Sequence, residues 1–419
     1  MEVTRKELLA SGAALAFVAG CNSGGGAKKA TPVSGWAAVR AQFALDPRER
    51  HFDAFLFAPH PKPVRVAIEK HRKGLDAGAA AYLHEHEAEL DGAVLAAAQA
   101  YLGVTPGTLA FVDSTTMGLA MVYSGLVLEP DDEVLTTEHD HYATHEALRL
   151  SGAKVRRVRL YDDPAQATAD GMIEAIKDAI TDRTKVLAVT WVHSVSGVKL
   201  PLRKLAAALG SNRPLLVVDG VHALGVEPDP VGPDLCDVLV AGTHKWLGGP
   251  RGTGLIWSIK GWDRMRPVIP SFAAEPYIAW IEGGHVDPAE SENLGALFTP
   301  GGYHSFEHRW ALAEAFKWQS KLGREKVARR IHGLAQRLKD GIADHVRLVT
   351  PRSPEVSSGL VCLDVDGMRP EDAVERLAEQ RVRASVTPYA DQHVRLGTSL
   401  HVDERDVDAA VTAIKALRG

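Results

Sequence analysis

Cysteine is nearly absent from this chain: of 419 residues, only Cys21, Cys236 and Cys362 carry a thiol. Cys236 stands just before the apolar run Val238-Leu239-Val240, and Cys362 lies inside Leu360-Val361-Cys362-Leu363, so both read as small buried apolar residues. No basic run is dense enough to hold nucleic acid, and the formal net charge is −5. Past the amino-terminal segment, no apolar run is long enough to cross a bilayer. No internal repeat appears, nor any low-complexity tract beyond the Gly/Lys-rich spacer at 22–34. What remains is a globular composition, 45% hydrophobic, with enough length to bury a large core shared between two domains.

The amino terminus has a pattern of its own. Thr4-Arg5-Lys6-Glu7-Leu8-Leu9 precedes a short apolar run from Ala13 to Ala19, then Val18-Ala19-Gly20-Cys21. A basic start, an apolar middle and small residues describe an export signal. It resembles a twin-arginine signal, with Arg5-Lys6 in place of the paired arginines, joined to a lipoprotein cleavage box at Cys21. Residues 1–34 are therefore expected to be a signal peptide and spacer. The mature protein would be exported and lipid-anchored through Cys21, its one membrane contact; a cytoplasmic location is the alternative.

From about residue 105 to 257, apolar strands alternate with helices such as Met172 to Ile180 and Leu202 to Leu209, which predicts an α/β fold with a mostly parallel sheet. A looser stretch, 260–305, leads into a helix-rich segment around Trp310 to Leu322. Strands near 357–364 and 381–386 and a last helix near 403–418 predict a smaller carboxy-terminal α/β domain. Residues 35–104 hold an opening segment and a helix through Ala93 to Tyr101. The expected boundaries are 35–305 for the large domain and 306–419 for the small one.

Lys245 stands in Ala241-Gly242-Thr243-His244-Lys245-Trp246-Leu247-Gly248-Gly249-Pro250-Arg251-Gly252-Thr253-Gly254, directly after an apolar run. Upstream, Pro214-Leu215-Leu216-Val217-Val218 reads as a buried parallel strand that delivers Asp219 at its carboxyl end, where open α/β sheets bind ligands. An amine and an acid so placed suit a Schiff-base enzyme using pyridoxal 5′-phosphate. That cofactor needs an amine for its aldehyde carbon, an acid for its pyridine nitrogen, donors for its phosphate and a flat group over its ring. The strand Thr108 to Val112 and the turn Asp113-Ser114-Thr115-Thr116-Met117-Gly118 enter an apolar helix, whose amino end attracts phosphate. An ordinary helix cap by Ser114 or Thr115 is the other reading.

These motifs together resemble the class V branch of the fold-type I pyridoxal-phosphate enzymes, the cysteine-desulfurase and isopenicillin-N-epimerase-like group, over roughly residues 50 to 415. The resemblance implies a fold-type I PLP-dependent transferase and gives each residue a part. Thr115, Thr116, His244 and Thr243 belong to the phosphate cup. His139, in Thr136-Thr137-Glu138-His139-Asp140-His141, stacks on the ring, with His141 as the alternative. Ser194 stands where relatives contact the ring oxygen, and His222 would bond the same oxygen. Arg395, in Gln392-His393-Val394-Arg395-Leu396-Gly397, binds a carboxylate and implies an amino acid or oxo acid substrate. The loop Pro300-Gly301-Gly302-Tyr303-His304-Ser305 resembles the one lent to a neighbouring subunit's phosphate, so a homodimer is expected, with His304 and Ser305 at the partner's site.

Zinc bound by His139 and His141 with His145 or His222 is a competing reading, weakened by the missing fourth ligand. The segment Arg383-Ala384-Ser385-Val386-Thr387-Pro388-Tyr389, where desulfurases keep a mobile thiol, has no cysteine, so desulfuration is not expected. Lys245 as the base at the substrate Cα then leaves transamination as the leading expectation, with epimerisation or racemisation, or C–S β-elimination, as alternatives. A lipoprotein that binds small amino compounds without turnover is the alternative of another class.

Overall fold

The computed structural model describes residues 35–287, 291 and 293–418. The export signal and lipid attachment at Cys21 expected above lie outside the described residues.

Seven strands build the main sheet: β2 (Leu109–Val112), β3 (Glu133–Thr137), β4 (Lys154–Val158), β5 (Thr184–Thr190), β6 (Leu215–Asp219), β7 (Val238–Gly242) and β8 (Gly254–Ser258). They follow the order β2-β8-β7-β6-β5-β3-β4. From β7 to β4 every pairing is parallel, and β8 alone runs antiparallel to both of its neighbours. Strand side chains alternate between faces, and here both faces are dry. Leu187, Val189, Leu216, Val218 and Leu239 enter one core, while Val186, Ala188, Leu215, Val217 and Val240 enter the other. This is why the central strands read as unbroken apolar runs. The edge strand β4, Lys-Val-Arg-Arg-Val, escaped that pattern because it is only half covered; Arg156 on it pairs with Glu133 of β3 at 2.8 Å.

The smaller sheet is antiparallel, in the order β12 (Ser385–Val386), β13 (Val394–Gly397), β10 (Leu360–Asp364) and β9 (Arg347–Leu348). Helices Arg324–Ile342, Pro370–Glu379 and Glu404–Lys415 supply Leu334, Leu338, Leu377, Val407 and Ile414 to its core. The opening segment belongs physically with this sheet's surroundings. β1 (Arg50–His51) pairs in parallel with β11 (Val382–Arg383), and Glu49 takes hydrogen bonds from Arg381 and Arg383, each at 2.8 Å. The helix Phe306–Leu322, which opens the expected small domain, places Leu312, Phe316 and Trp318 in the large-domain core.

The helix expected through Ala93 to Tyr101 is the end of a 41-residue helix, Lys62–Leu102, interrupted where Gly78 leaves helical geometry. Its middle is polar and Ala-rich, with no apolar stripe to betray it.

One buried ionic cluster ties the two bodies together. Glu227 of the large domain accepts from Lys199 Nζ at 3.1 Å and Ser358 Oγ at 2.6 Å, and its Oε1 lies 2.9 Å from His332 Nε2. Burial opposes the charge, but His332, Lys199 and Ser358 overcome it and hold the carboxyl near 2, below its ordinary 4.5. A carboxyl with a depressed folded value stabilises above the unfolded value and loses that contribution as pH falls through the folded one. Glu227→Gln should therefore cost roughly 3 kcal/mol at neutral pH, as for a broken buried pair. Melting curves of the two proteins should draw together as pH falls from about 4.5 towards 2; a gap that does not depend on pH would contradict this.

Candidate active site

The carboxyl ends of β5, β6 and β7 lie side by side, with Thr190 opposite Asp219 and Asp219 opposite Val240. Asp219 is 2% exposed, and its carboxylate's single hydrogen bond among the described residues comes from Val221 N–H at 3.0 Å. Burial raises it to about 6, against the opposing pull of that N–H and of Lys245. The chain leaves β7, turns tightly and re-enters as β8. Gly249 N donates to Thr243 O at 2.9 Å, and a Cβ on Gly249 would stand 2.8 Å from that same oxygen, so the turn admits only glycine there. Lys245 projects from this turn, its Nζ 3.0 Å from His222 Nε2. Burial lowers the amine to about 8, with Asp219 opposing and Arg395 assisting. Amine and carboxylate influence each other without pairing directly, which leaves room for a group that meets both.

That room is a cavity of about 380 Å³ lined by Asp219, Lys245, His244, Thr115, Thr116 and His141, among others. At one end, Thr115 Oγ1 accepts Gly242 N–H at 2.7 Å and keeps its own proton for a ligand. Ser114, not Thr115, caps the helix Thr115–Gly125, accepting Met117 N–H at 3.1 Å. Thr116 is exposed at the first turn, beside the positive end of the helix. His244 is driven to about 4 by burial, Lys245 and Arg251, and so is neutral. Arg251, also on the cavity wall, supplies the cation; the sequence reading overlooked it although it lies six residues after Lys245. Thr243 does not reach the cavity. It is fully buried, its Oγ1 bonded to Thr253 O at 3.2 Å and to the Thr253 hydroxyl, so it braces the turn instead. A Cβ on Gly242 would stand 2.8 Å from His244 Cε1 and 2.9 Å from Thr115 Oγ1, so this cradle depends on a residue without a side chain. Amine, buried acid, hydroxyls, a helix start and a guanidinium suit the aldehyde, the pyridine nitrogen and the phosphate of pyridoxal phosphate.

The two histidines after β3 part company. His139 stacks on Tyr161, centroids 3.9 Å apart, and its Nε2 accepts Leu160 N–H at 3.1 Å, which turns it away from the cavity. His141 lines the cavity and caps the helix Tyr142–Ser151, its Nδ1 accepting Ala143 N–H at 3.1 Å. Of the two, His141 lines the cavity and His139 does not. The residue between them explains the difference. Asp140 is anchored at the carboxyl ends of β3 and β5 by Thr137 N at 2.7 Å and Thr190 N at 2.6 Å, and this fixes which neighbour faces the cavity. Among the described residues, no three metal-binding side chains converge.

Arg395 is 4% exposed; its Nη1 donates to Ser194 O at 2.9 Å and its Nε to Ser385 Oγ at 3.2 Å. Ser194 thus contributes its carbonyl to holding Arg395. The guanidinium lies 5.0 Å from the Phe55 ring centre, and among the described residues no carboxylate pairs with it. Its charge is left for a ligand. Tyr389, absent from the expected site, reaches over from the loop between β12 and β13. Its hydroxyl accepts Tyr142 N–H at 2.7 Å, and its ring meets His141 edge-on at 5.8 Å. It holds φ of 80°, in the left-handed region where a bulky residue is strained. The sequence reading covered this loop only for a missing thiol. His304 and Ser305 lie outside this chain's cavity; His304 packs on Phe306 at 4.4 Å and Tyr303 is 94% exposed.

Known proteins are similar to this chain over three quarters or more of its length. Isopenicillin N epimerase of Streptomyces clavuligerus is 26% identical over 407 residues, covering 92% of this chain and 99% of that protein. A cysteine desulfurase of Haloferax volcanii is 25% identical over 340 residues, 76% of each chain. Among solved structures, the cysteine desulfurase CsdA of Escherichia coli superimposes with a TM-score of 0.76 at 21% identity, covering 92% of this chain and 99% of its own. The cystine C–S lyase C-DES, in complex with cysteine persulfide, gives 0.79 at 19% identity, covering 88% and 98%. The aminotransferase class-V family model matches residues 70–387. The chain belongs to the class-V aminotransferase family of pyridoxal-phosphate-dependent enzymes.

Proposed function

We propose that the protein binds an α-amino acid against pyridoxal 5′-phosphate and inverts the configuration at Cα. Bound in this cavity, the cofactor supplies an electron sink that makes a substrate Cα–H acidic. The chain's own groups do the rest. Asp219, dry and facing Lys245 across the cavity, keeps a proton on the pyridine nitrogen. His141 covers the ring, and Thr115, Thr116, His244 and Arg251 hold the phosphate. Arg395, tethered by Ser194 and Ser385, orients the substrate through its carboxylate. Lys245 would hold the cofactor's aldehyde carbon and would be the base that removes the substrate Cα proton. Tyr389, on the His141 wall, carries a proton to Cα from another direction than Lys245, which rises from the Asp219–His222 wall.

The observation that carries this reading is that Lys245 and His141 line one cavity, while Tyr389 packs edge-on against His141 and Arg395, close enough to bear on the Lys245 amine, has no carboxylate partner among the described residues. The near full-length likeness to an isopenicillin N epimerase supports it. Transamination, the leading expectation from sequence, is supported by the family's name alone, whereas the relatives are named for epimerisation and desulfuration and a solved neighbour for C–S lysis. Attack on sulfur by a protein thiol lacks a candidate among the described residues. Cys236 and Cys362 are 0% exposed, and burial pushes both thiols up, Cys362 to about 12. A partner subunit over the exposed Tyr303 loop belongs to the same proposal.

Incubation with single L-amino acids in D2O tests it. Inverted product deuterated at Cα supports the reading; oxo acid without inversion, or released thiol, overturns it in favour of transamination or β-elimination. Tyr389→Phe should keep Cα exchange but lose inversion by ~100-fold or more, the range of a general acid. Equal loss of both would remove Tyr389 from the proton path.

A further inference from the structure

We infer that Trp246 fixes the ring of His222 in its Nε2–H form, and that this proton, presented to Nζ of Lys245, keeps the cofactor-anchoring amine as the free base. Indole Nε1–H of Trp246 lies 3.3 Å from His222 Nδ1, and indole nitrogen accepts nothing. His222 is 3% exposed and meets Lys245, Arg395, His141 and His244 with no acid among them, so it is neutral, held well below its ordinary range by burial first. A neutral imidazole has one N–H and one acceptor. With Nδ1 accepting from Trp246, the proton sits on Nε2, 3.0 Å from Lys245 Nζ. An ammonium has no lone pair to receive it. Only the uncharged amine completes the chain Trp246 to His222 to Lys245.

The indole cannot turn away from this task. Trp246 is 5% exposed and stacks on Phe55 at 5.5 Å, with the planes 16° apart. Its carbonyl accepts Gln319 Nε2 at 3.1 Å, and a Cβ on Gly359 would stand 3.0 Å from the indole. Around the amine, Asp219 favours the ammonium, while burial, Arg395 and the His222 proton favour the free base. Attack on an aldehyde carbon needs the lone pair, so the lock readies Lys245 for cofactor capture. Trp246 is a positioning residue here, acting through His222.

The consequence for capture rests on the cofactor reading above; the tautomer does not. Above the amine's value of about 8, nitrogen-15 spectra of histidine in the cofactor-free wild-type protein should show His222 as the neutral Nε2–H form. An Nδ1–H form or an imidazolium would overturn the inference without any variant. Trp246→Phe should shift the pH profile of pyridoxal 5′-phosphate capture upward by about one unit, since burial of the amine remains in the variant. Capture at pH 7 should slow roughly tenfold or more, recovering at alkaline pH. In a His222→Gln background, whose amide donates whatever residue 246 is, Trp246→Phe should change nothing. An unchanged profile for Trp246→Phe in the otherwise wild-type protein would sink the lock. Failure to capture the cofactor at any pH, with the Nε2–H form in place, would overturn the cofactor reading while supporting the tautomer.

Discussion

Lys245→Ala should yield a folded protein whose turnover falls on the order of 10⁴-fold or more, because it loses both the covalent hold on the cofactor and the base at Cα. No neighbour can substitute. His222 and His244 are held below their ordinary range, and Arg395 stays charged and cannot take a proton. Stability should move the other way or not at all. Burial opposes the charged form of this lysine, and Asp219 relieves that opposition only in part. Removing a strained functional group commonly spares or raises the melting temperature. Kinetics, the visible spectrum with added cofactor and a thermal melt of the same sample separate the two effects. A variant with tenfold residual loss, or one that unfolds, would contradict the assignment.

Asp219→Asn should lower turnover by roughly 10² to 10³-fold, the usual cost of removing one fixed electrostatic partner from a dry site. The amide still accepts Val221 N–H, so the turn after β6 keeps its geometry. It cannot keep a proton on the pyridine nitrogen against water. The sign of the stability change follows from the raised carboxyl. Its folded value of about 6 lies above the unfolded 3.8, so ionising it in the fold costs stability as pH rises through that window. The uncharged amide carries no such cost, and the variant should melt no lower than wild type at neutral pH. A variant that melts well below wild type, with activity lost in proportion, would make Asp219 a structural residue.

The sheet was legible in the sequence wherever both faces of a strand are dry. Leu215 to Val218 and Val238 to Val240 are apolar on every residue because helices cover both sides of the sheet. Asp219 and Lys245 were legible for the same reason: each is a polar residue that interrupts such a run at the carboxyl end. The helix Leu202–Leu209 was marked by its own apolar periodicity. What failed was register and reach. Nothing in Glu138-His139-Asp140-His141 says which histidine faces inward; that depends on Asp140 binding the backbone of β3 and β5. Thr243 reads as a phosphate donor by position, yet its hydroxyl is taken by Thr253 ten residues on. Tyr389 could not be assigned from local pattern, since its hydrogen bond to Tyr142 joins residues 247 apart in sequence. Trp246 likewise could not be assigned locally, since its indole N–H donates to His222, 24 residues away in sequence.

The account stands on one covalent bond, between Nζ of Lys245 and the aldehyde carbon of pyridoxal 5′-phosphate. Borohydride reduction of the cofactor-treated protein, followed by peptide mass mapping, tests it directly. The account predicts a visible absorption band that reduction abolishes, and the reduced cofactor's mass fixed on the peptide that contains Lys245. A colourless protein, or the label on any other lysine with Lys245 unmodified, would contradict it.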